Sequence, residues 1–399
     1  MNKVILGDIA EIISKGTTPT SVGLSFANKG IPFLRGEDIQ GFMIDEKAVK
    51  FYIDNDSHKK LSRSEIRYGD VLITIAGTIG RVSYVNSDII ANCNQAVSFV
   101  RFNLNMVDPL WVTLLLQSPT YQTIFSKFIV GGAIPNVSLQ QISSIEIPSI
   151  PIEKQKKISL SILVNLKEIE KARKAAEMAK GDIKRLKYLT LDNFFRELEG
   201  TERFALGDKA ITTSGSTPSR GQKAYWEPPE IPWIKTGEIA FEPINRAEEC
   251  ISKLALKECS LKLLPENSVL IAMYGQGKTR GQSAILKVPA TTNQACFAIL
   301  PNCTWEPEFL QLWLMYSYQE LRNMSENRGG NQANLNGDLL NSFKAPAPAL
   351  DVQRKIVEKV SAALKEIDKL NNAWQIKFDD IKTLPNRLLE KVFNEIENE

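Results

Sequence analysis

Two long stretches of the chain carry apolar residues at alternating spacings of three and four, with polar residues between them. They cover residues 152–199 and 350–395, so the pattern lasts for about three heptads or more in each. A stripe this narrow favours a helix paired with another helix, although a helix packed on its own domain would also produce it. The stripe positions are Ile162, Asn165, Ile169, Ala172, Ala176, Ala179, Ile183 and Leu186 in the first stretch, and Val360, Ala363, Ile367, Leu370, Trp374, Lys377, Ile381 and Leu384 in the second.

The two stripes complement each other in side-chain size, which predicts that the helices pack antiparallel as a coiled coil. In that arrangement Trp374 would lie against Ala172, and Leu370 against Ala176. Two prolines precede each helix, at 148 and 151 and at 346 and 348. Proline disfavours the helical conformation in the residue before it, so these pairs are typical of an extended entry into a helix.

The segments between the helices mix short apolar runs with turns rich in glycine, asparagine and proline. Runs such as 71–75 are typical of buried strands, and 108–128 and 306–324 each predict one helix. These features predict the α+β class. We therefore expect a globular domain at 1–150, a helix at 151–199, a second globular domain at 200–345 and a helix at 346–399.

The chain is a tandem duplication, because five sequence blocks return in the same order after about 200 residues. We therefore expect a pseudo-two-fold symmetric fold in which each globular domain is followed by its long helix. The paired blocks are LGDIAEIISKGTTPT (6–20) and LGDKAITTSGSTPS (206–219), IPFLRGEDI (31–39) and IPWIKTGEI (231–239), DVLITIAGTIGR (70–81) and SVLIAMYGQGKTR (268–280), NCNQAVSFV (92–100) and TTNQACFAI (291–299), and IPSIPIEKQKKI (147–158) and KAPAPALDVQRKI (344–356).

The stretch AMYGQGKT at 272–279 fits the phosphate-binding pattern G-x-x-x-x-G-K-[ST] if alanine is accepted in the first position. Such a loop also needs a helix that begins at the lysine, but Gly281 and Pro289 bracket only a short strand-like run. The corresponding loop of the first copy, 77–81, lacks the lysine and threonine. The sequence therefore predicts a glycine turn with a basic residue between two strands rather than a nucleotide site.

Composition is that of an ordinary globular protein, and the net charge of +3 neither requires nor excludes a nucleic-acid partner. Five cysteines without a CxxC pair and a single histidine, His58, give no zinc-binding spacing. The odd number of cysteines suggests reduced, buried thiols and a cytoplasmic protein, and we expect His58 to be an exposed bystander. No apolar run is long enough for a signal peptide or a membrane span, so we expect neither.

The first helix carries an excess of basic side chains. Acidic residues at 168, 170 and 177 balance them in part. A solvated surface and a position near DNA phosphates explain the excess equally well. The basic residues are Lys154, Lys156, Lys157, Lys167, Lys171, Arg173, Lys174, Lys180, Lys184, Arg185 and Lys187.

Together these features resemble the specificity subunit of type I restriction–modification enzymes over essentially the whole chain. The resemblance rests on the LGD openings, the GTTP and GSTP loops, the NQA strands and the proline-rich helix entries that contain glutamine. It implies two target-recognition domains that each read one half of a bipartite site in double-stranded DNA, spaced by an antiparallel coiled coil. It also implies no cofactor and no catalysis by the chain itself, which would recruit two methyltransferase subunits and, for cleavage, translocase–nuclease subunits.

The sequence agrees with a reader of DNA rather than a catalyst. A methyltransferase needs a [DNS]-P-P-[YFW] motif to hold a flipped base, but the nearest string, at 227–230, reads EPPE. No cluster of acidic residues with a lysine stands out as a nuclease site. A P-loop NTPase, a stand-alone methyltransferase and an orphan DNA-binding adaptor are the alternatives.

Base reading requires arginine or lysine for guanine and asparagine or glutamine for adenine, carried on loops that enter the major groove. For each candidate, a plain surface role is an equal alternative to direct contact. We expect 274–280 to form a DNA-facing hairpin loop. The candidates are Lys15, Thr17, Thr18, Arg35, Thr78 and Arg81 in the first domain, and Lys235, Tyr274, Gln276, Lys278, Thr279, Arg280, Arg328, Asn331, Gln332 and Asn334 in the second.

The Asn-Gln pair at 94–95 recurs at 293–294, although two recognition domains should read different bases. We therefore expect these residues to build a turn rather than to read DNA. Positions that differ between the copies are better candidates, which favours Gln276 and Lys278 because they replace residues 78–79.

Overall fold

The computed structural model describes residues 2–129, 135–275, 277–326 and 334–398, and the chain divides into two compact units. The first unit consists of Met1–Glu177 and Gln375–Glu399, and the second of Met178–Trp374. Each unit therefore contains one globular domain together with a part of each long helix. Each long helix begins in one unit and ends in the other, so the long helices belong to both.

The first copy folds into ten strands and five short helices before its long helix within the described ranges. They are β1 (Lys3–Ile5), α1 (Leu6–Ile9), β2 (Ala10–Lys15), β3 (Ile31–Leu34), β4 (Tyr52–Ile53), α2 (Asn55–Lys60), β5 (Glu65–Ile66), β6 (Val71–Thr74), β7 (Val82–Tyr84), β8 (Ala91–Cys93), β9 (Val97–Phe102), α3 (Pro109–Leu116), α4 (Pro119–Phe128), α5 (Leu139–Ser143), β10 (Glu146–Pro148) and the long helix α6 (Ile152–Arg196).

The second copy repeats this order with one strand fewer among its described residues. Its elements are β11 (Arg203–Ala205), α7 (Leu206–Lys209), β12 (Thr212–Ser214), β13 (Ile231–Ile234), β14 (Glu249–Ile251), α8 (Lys253–Glu258), β15 (Val269–Ala272), β16 (Ser283–Ile285), β17 (Thr291–Thr292), β18 (Cys296–Ile299), α9 (Pro307–Tyr316), α10 (Tyr318–Glu326), α11 (Gly337–Ser342), β19 (Lys344–Pro346) and the long helix α12 (Leu350–Asn398).

A four-stranded antiparallel sheet forms the centre of each globular domain, in the order β2-β9-β6-β7 in the first unit and β12-β18-β15-β16 in the second. Every residue of β6 and of β15 is buried, which explains why both strands are nearly continuous apolar runs. A second sheet places β3 parallel to β8, and β13 parallel to β17. The shared topology confirms the predicted duplication and the α+β class.

The helix predicted in each globular domain is broken into two helices. The break lies at Ser118 between α3 and α4, and at Ser317 between α9 and α10. Pro119 explains the first break, because proline has no amide hydrogen and disfavours the helical conformation in the preceding residue. The prediction of one continuous helix over 108–128 and over 306–324 is therefore wrong.

The long helices pack antiparallel within each unit, as predicted. In the first unit, Ile162 near the start of α6 shares a hydrophobic core with Phe393 near the end of α12. In the second unit, Lys180 contacts Trp374, and Lys187 lies 3.6 Å from Asp368. The residue number therefore falls along α12 as it rises along α6, which defines an antiparallel pair.

The predicted register between the two stripes is wrong. The ammonium group of Lys180 lies 4.9 Å from the centre of the Trp374 ring, eight residues beyond the predicted partner Ala172. Eight residues correspond to about 12 Å along a helix. Leu370, the predicted partner of Ala176, is 49% exposed, whereas Trp374 in the same stripe is buried.

One glutamine in each copy connects the start of the long helix to its globular domain. The amide oxygen of Gln155 accepts a hydrogen bond from the backbone of Asp108 (2.8 Å), and its amide nitrogen donates to Ile150 (2.9 Å). Gln353 accepts from the backbone of Glu306 (2.9 Å) and is completely buried. The glutamine of the repeated helix-entry block thus satisfies the backbone where helix and domain meet.

Of the helices within the described ranges, none has both the length and the apolar character needed to cross a membrane.

Candidate nucleic-acid interface

The GTTP and GSTP loops lie directly against the turns at 94–96 and 293–295, which have the sequence NQA and are called the NQA turns below. A Cβ atom on Gly16 would come within 2.0 Å of the carbonyl oxygen of Cys93, and one on Gly215 within 1.9 Å of that of Thr292. The amides of the next residues donate to the same two carbonyls at 3.0 and 2.9 Å. Glycine is therefore required here, because any side chain would separate the two backbones.

The Asn-Gln pairs build turns, as the repeat predicts. The side-chain oxygens of Asn94 and Asn293 accept hydrogen bonds from the amide two residues further on, at 3.2 and 3.1 Å. In each copy the glutamine accepts a hydrogen bond from a threonine of the proline loop, which is Thr18 in the first and Thr217 in the second. The structural role is confirmed, and it also engages the hydroxyl of the candidate Thr18.

Two further loops meet the same turns in each unit. The amides of the two asparagines donate to the last carbonyls of β3 and β13 at 3.0 Å, which brings in the loops that carry Arg35 and Lys235. Ile75 and Met273, at the start of the glycine loops, donate to the alanine of the NQA turn at 2.8 and 2.9 Å. We call these converging segments the loop cluster. In the first unit it carries Lys15, Thr17, Thr18, Arg35, Thr78 and Arg81.

The glycine loop of the second unit is a hairpin loop. It joins the antiparallel strands β15 and β16, and Gly275, Gly277 and Gly281 adopt φ angles of 135°, 70° and 85°. After Thr279 the chain enters β16 and not a helix. A phosphate-binding loop places its ligand on a helix N-terminus, so the nucleotide-binding alternative fails on geometry.

The hairpin loop exposes some of its candidate residues and buries another. Tyr274 and Lys278 are exposed, Thr279 is half-buried, and the hydroxyl of Tyr318 in α10 donates to the carbonyl of Lys278 at 2.6 Å. Arg280 is only 7% exposed, because the chain folds back onto α10 at Gly281. The expectation that Arg280 is displayed toward DNA is therefore corrected, and we leave it out of the contact surface.

The remaining candidates divide between exposed and undescribed positions. Thr78 and Arg81 are exposed on the hairpin loop of the first unit, and Asn334 is exposed in the second. Their contact with DNA stays a prediction. Gln276, Arg328, Asn331 and Gln332 lie outside the described residues.

The cations at equivalent positions in the two loop clusters have different surroundings. The guanidinium carbon of Arg35 lies 4.5 Å from the centre of the Phe51 ring. The ammonium of Lys235 lies 2.8 Å from Glu248 and 2.9 Å from Glu249. These two carboxylates raise the pKa of Lys235 and occupy its donors. The second unit therefore holds its lysine in a network within the protein.

The candidates chosen from sequence omit one cation of the second loop cluster, Arg220. Its guanidinium carbon lies 3.9 Å from the centre of the Trp226 ring, and it shares Glu249 with Lys235. The available signal is its place directly after the GSTPS block and shortly before Trp226 and Trp233. Its carboxylate partner lies far away in sequence, which hides the arrangement from pattern analysis.

Several basic residues of α6 are neutralised along the helix. Lys171 lies 2.7 Å from Glu168, and Arg173 lies 2.8 Å from Glu170 and 2.5 Å from Glu177. The carboxylates of Glu170 and Glu177 raise the pKa of Arg173. This pairing explains part of the basic face as an ordinary solvated surface.

The described residues contain no group of three or more side chains able to hold a metal ion. His58 lies in α2, and its Nδ1 is 2.6 Å from the buried Asn92, so the expectation of an exposed bystander is wrong. Cys93 and Cys296 are buried as expected, and burial raises the pKa of both thiols. Cys303 is exposed, which corrects the expectation for that residue.

A family model covers both copies of the repeat. The model of the type I restriction modification DNA specificity domain matches residues 1–177 and 199–377. The chain belongs to this family. Each match to the specificity domain contains one loop cluster and one of the repeated helix-entry blocks.

Two curated relatives with specificity domains align with about half of the chain. The type I restriction enzyme EcoR124I/EcoR124II specificity subunit from Escherichia coli is 30% identical over 180 residues, which are 45% of this chain and 43% of that protein. The type I restriction enzyme MjaIX specificity subunit from Methanocaldococcus jannaschii is 32% identical over 200 residues, which are 47% of this chain and 41% of that protein. The chain thus spans under half the length of each relative.

Solved structures of specificity-domain proteins share the fold over nearly the full chain. A structure of the type I R-M system, described for its complex assembly and conformational transition, gives a TM-score of 0.76 at 18% identity and covers 98% of this chain and 97% of that chain. The HsdS subunit from Thermoanaerobacter tengcongensis gives a TM-score of 0.59 at 18% identity, with coverage of 98% and 96%. At these identities the likeness shows the fold.

Proposed function

We propose that the chain is the DNA-recognition subunit of a type I restriction–modification enzyme. Each unit reads one half of a bipartite site in double-stranded DNA. The long helices space the recognition domains and dock two methyltransferase subunits, and translocase–nuclease subunits join for cleavage. The chain itself needs no cofactor and catalyses no reaction.

The observation that carries this proposal is the loop cluster, which occurs in both units with the same backbone contacts. Gly16 and Gly215, with the two Asn-Gln turns, close the same arrangement in each copy. The residues displayed on it differ, with Thr78 and Arg81 exposed on the hairpin loop of the first unit and Tyr274 and Lys278 on that of the second. A shared backbone with different polar side chains is what two readers of different half-sites require.

Cations of the cluster that reach solvent supply the electrostatic contacts. The exposed Lys15 and Arg81 and the half-buried Arg35 in the first unit, and the exposed Lys278 in the second, are candidates for phosphate or guanine contact. A lost phosphate contact weakens binding to every sequence and reduces the salt dependence, whereas a lost base contact relaxes a single position. The two kinds of contact are therefore separable by experiment.

The test compares the purified chain alone with the chain assembled with its methyltransferase subunits. DNA methylated by each sample is sequenced to locate modified bases. We expect no methylation by the chain alone, and methylation at a two-part motif by the complex. Methyl transfer by the chain alone would overturn the proposal, and DNA binding that supports no methyltransferase would favour an orphan adaptor.

The assignment of one half-site to each unit has its own test. Arg81→Ala is expected to change binding only through the first half-site, and Lys278→Ala only through the second. Each variant serves as the control for the other in a library that randomises one half-site at a time. If either variant altered preference in both half-sites, the division of labour between the units would be wrong.

A further inference from the structure

The guanidinium of Arg220 is held in one orientation although its side chain is 55% exposed. Its central carbon lies 3.9 Å from the ring centre of Trp226 and 5.1 Å from that of Trp233. The two rings meet edge to face, with their centres 5.2 Å apart. The Trp226 indole nitrogen donates to the carbonyl of Ser219, which fixes the ring against the loop. An exposed arginine is rarely held this firmly, since a free side chain keeps its rotamer entropy.

One carboxylate fixes the rotation of the guanidinium. Nη1 of Arg220 donates to Glu249 at 2.5 Å. The Nε–Nη2 edge carries two parallel N–H groups, and within the described residues it donates no hydrogen bond. Two parallel donors match the O6 and N7 acceptors of guanine in the major groove. The side chain is therefore pre-organised for a bidentate contact.

The first unit also has an arginine over an aromatic ring, but it comes from a different position. Arg35 lies over Phe51, and Phe26 packs edge to face on Phe33 with ring centres 5.3 Å apart. Phe33 occupies the position of Trp233 on the equivalent strand, since β3 pairs with β8 as β13 pairs with β17. Arg35 and Arg220 are thus both stacked guanidinium groups beside a loop cluster.

The equivalent of Arg35 in the second unit cannot perform this role. Lys235 lies 2.8 Å from Glu248 and 2.9 Å from Glu249, so its ammonium points into the protein network. Glu249, which Lys235 contacts, is also the carboxylate that orients Arg220. Lys235 therefore balances the charge of the acidic pair, and Arg220 remains the cation with an open hydrogen-bonding edge.

We propose that Arg220 reads a guanine of the second half-site, with Trp226 and Glu249 as positioning residues. This inference rests on the proposed function of the chain as a DNA reader. Arginine is needed because lysine has neither the planar fork nor the stacking surface. A phosphate contact needs only the positive charge, which lysine keeps, whereas a bidentate guanine contact needs the arginine fork. The arginine-to-lysine change therefore distinguishes a phosphate contact from a guanine contact.

The experiment measures binding of the assembled complex to a duplex library in which one half-site at a time is randomised. The variants are Arg220→Lys, Arg220→Ala and Glu249→Gln. Lys223→Ala is the matched control, because it removes an exposed cation from the same segment. Thermal unfolding of each variant identifies any that fails to fold. If Arg220→Ala fails to fold, Arg220→Lys and Glu249→Gln still decide the question.

We expect Arg220→Lys and Arg220→Ala to reduce the preference for guanine at one position of the second half-site by about tenfold or more. Glu249→Gln should reduce the same preference by a smaller factor. In all three variants the preferences in the first half-site should be unchanged, and Lys223→Ala should keep the wild-type preferences in both half-sites. Wild-type binding by Arg220→Lys, or uniform weakening by Arg220→Ala with a smaller salt dependence, would overturn the inference and leave the proposed function intact. A wild-type complex without any sequence preference would overturn both.

Discussion

Replacing Arg101 with leucine is expected to destabilise the first globular domain by about 3–5 kcal/mol, because the change leaves a buried carboxylate without its cation. Asp70 is completely buried, and its two oxygens accept hydrogen bonds from Arg101 at 2.7 and 2.6 Å. After the substitution the carboxylate keeps the hydrogen bond from the amide of Arg67 at 2.8 Å. One backbone donor does not replace a bidentate ion pair around a completely buried carboxylate.

The second unit supplies the matched replacement. Extending the strand registers by one residue places Ser268 opposite Leu300, where the first unit has Asp70 opposite Arg101. Burial raises the pKa of Asp70 even though Arg101 opposes the shift, so desolvation outweighs the gain from the ion pair. The double variant Asp70→Ser/Arg101→Leu should therefore lie within about 1 kcal/mol of the wild type, or be more stable by up to about 4 kcal/mol.

Native-state hydrogen exchange of the amides in β6 and β9 measures the local free energy of opening. The amides of β15 and β18 are the internal control, because the second unit is unaltered. The pKa of Asp70 in the fold lies above its unfolded value, so stability is favoured at low pH and lost as pH rises through the folded pKa. The cost of Arg101→Leu should accordingly shrink in acid. A cost below about 1 kcal/mol, or a double variant as unstable as the single one, would refute the reasoning.

Three further predictions concern the glycine contact of the second loop cluster, the glutamine at the helix entry and the hairpin loop. Gly215→Ala should destabilise the second globular domain by more than about 1 kcal/mol in thermal unfolding because its Cβ would meet a backbone carbonyl at 1.9 Å, whereas Gly237→Ala, with open space around its Cβ, should cost less. Gln353→Ala should cost about 1–3 kcal/mol in chemical denaturation, because buried backbone groups lose their partner; a neutral result would contradict the role at the helix entry. Lys278→Ala should lower DNA affinity without changing the melting temperature, because Lys278 is exposed. Arg280→Ala should lower the melting temperature without changing DNA affinity, because Arg280 is buried. If the two variants changed affinity and melting temperature alike, their different burial would not explain their roles.

The duplication made much of the fold predictable, because each repeated block had to serve the same structural purpose twice. The hairpin of the glycine loop and the turn role of Asn94 follow from that reasoning. The antiparallel direction of the long helices is instead predicted from the size complement of their apolar stripes. The coiled-coil register does not follow from these stripes, because an apolar stripe with period three and four tolerates a shift by about two turns. The observed register brings Lys180, which is outside the apolar stripe, onto the ring of Trp374.

The same distinction applies to the candidate interface. Exposed positions such as Lys278 and Arg81 were identified by residue type and by their place beside glycines. The burial of Arg280 depends on how the chain meets α10, a helix that lies about 40 residues later in the sequence. The ion pairs of Lys235 depend likewise on two carboxylates contributed by another loop. Partners that are distant in sequence leave no trace in a local pattern.

The glycine contacts that close both loop clusters have a consequence for how this protein can change through evolution. The closing hydrogen bonds use backbone atoms, the Asn-Gln turns and the threonines Thr18 and Thr217, and none of those cited uses the side chain of Arg35 or Lys235. Within this single chain the position of Arg35 has already become Lys235 while the surrounding backbone contacts stayed the same. Mutations at such positions can therefore accumulate with little penalty in folding, and under the proposed function new target preferences would be explored one half-site at a time by neutral drift.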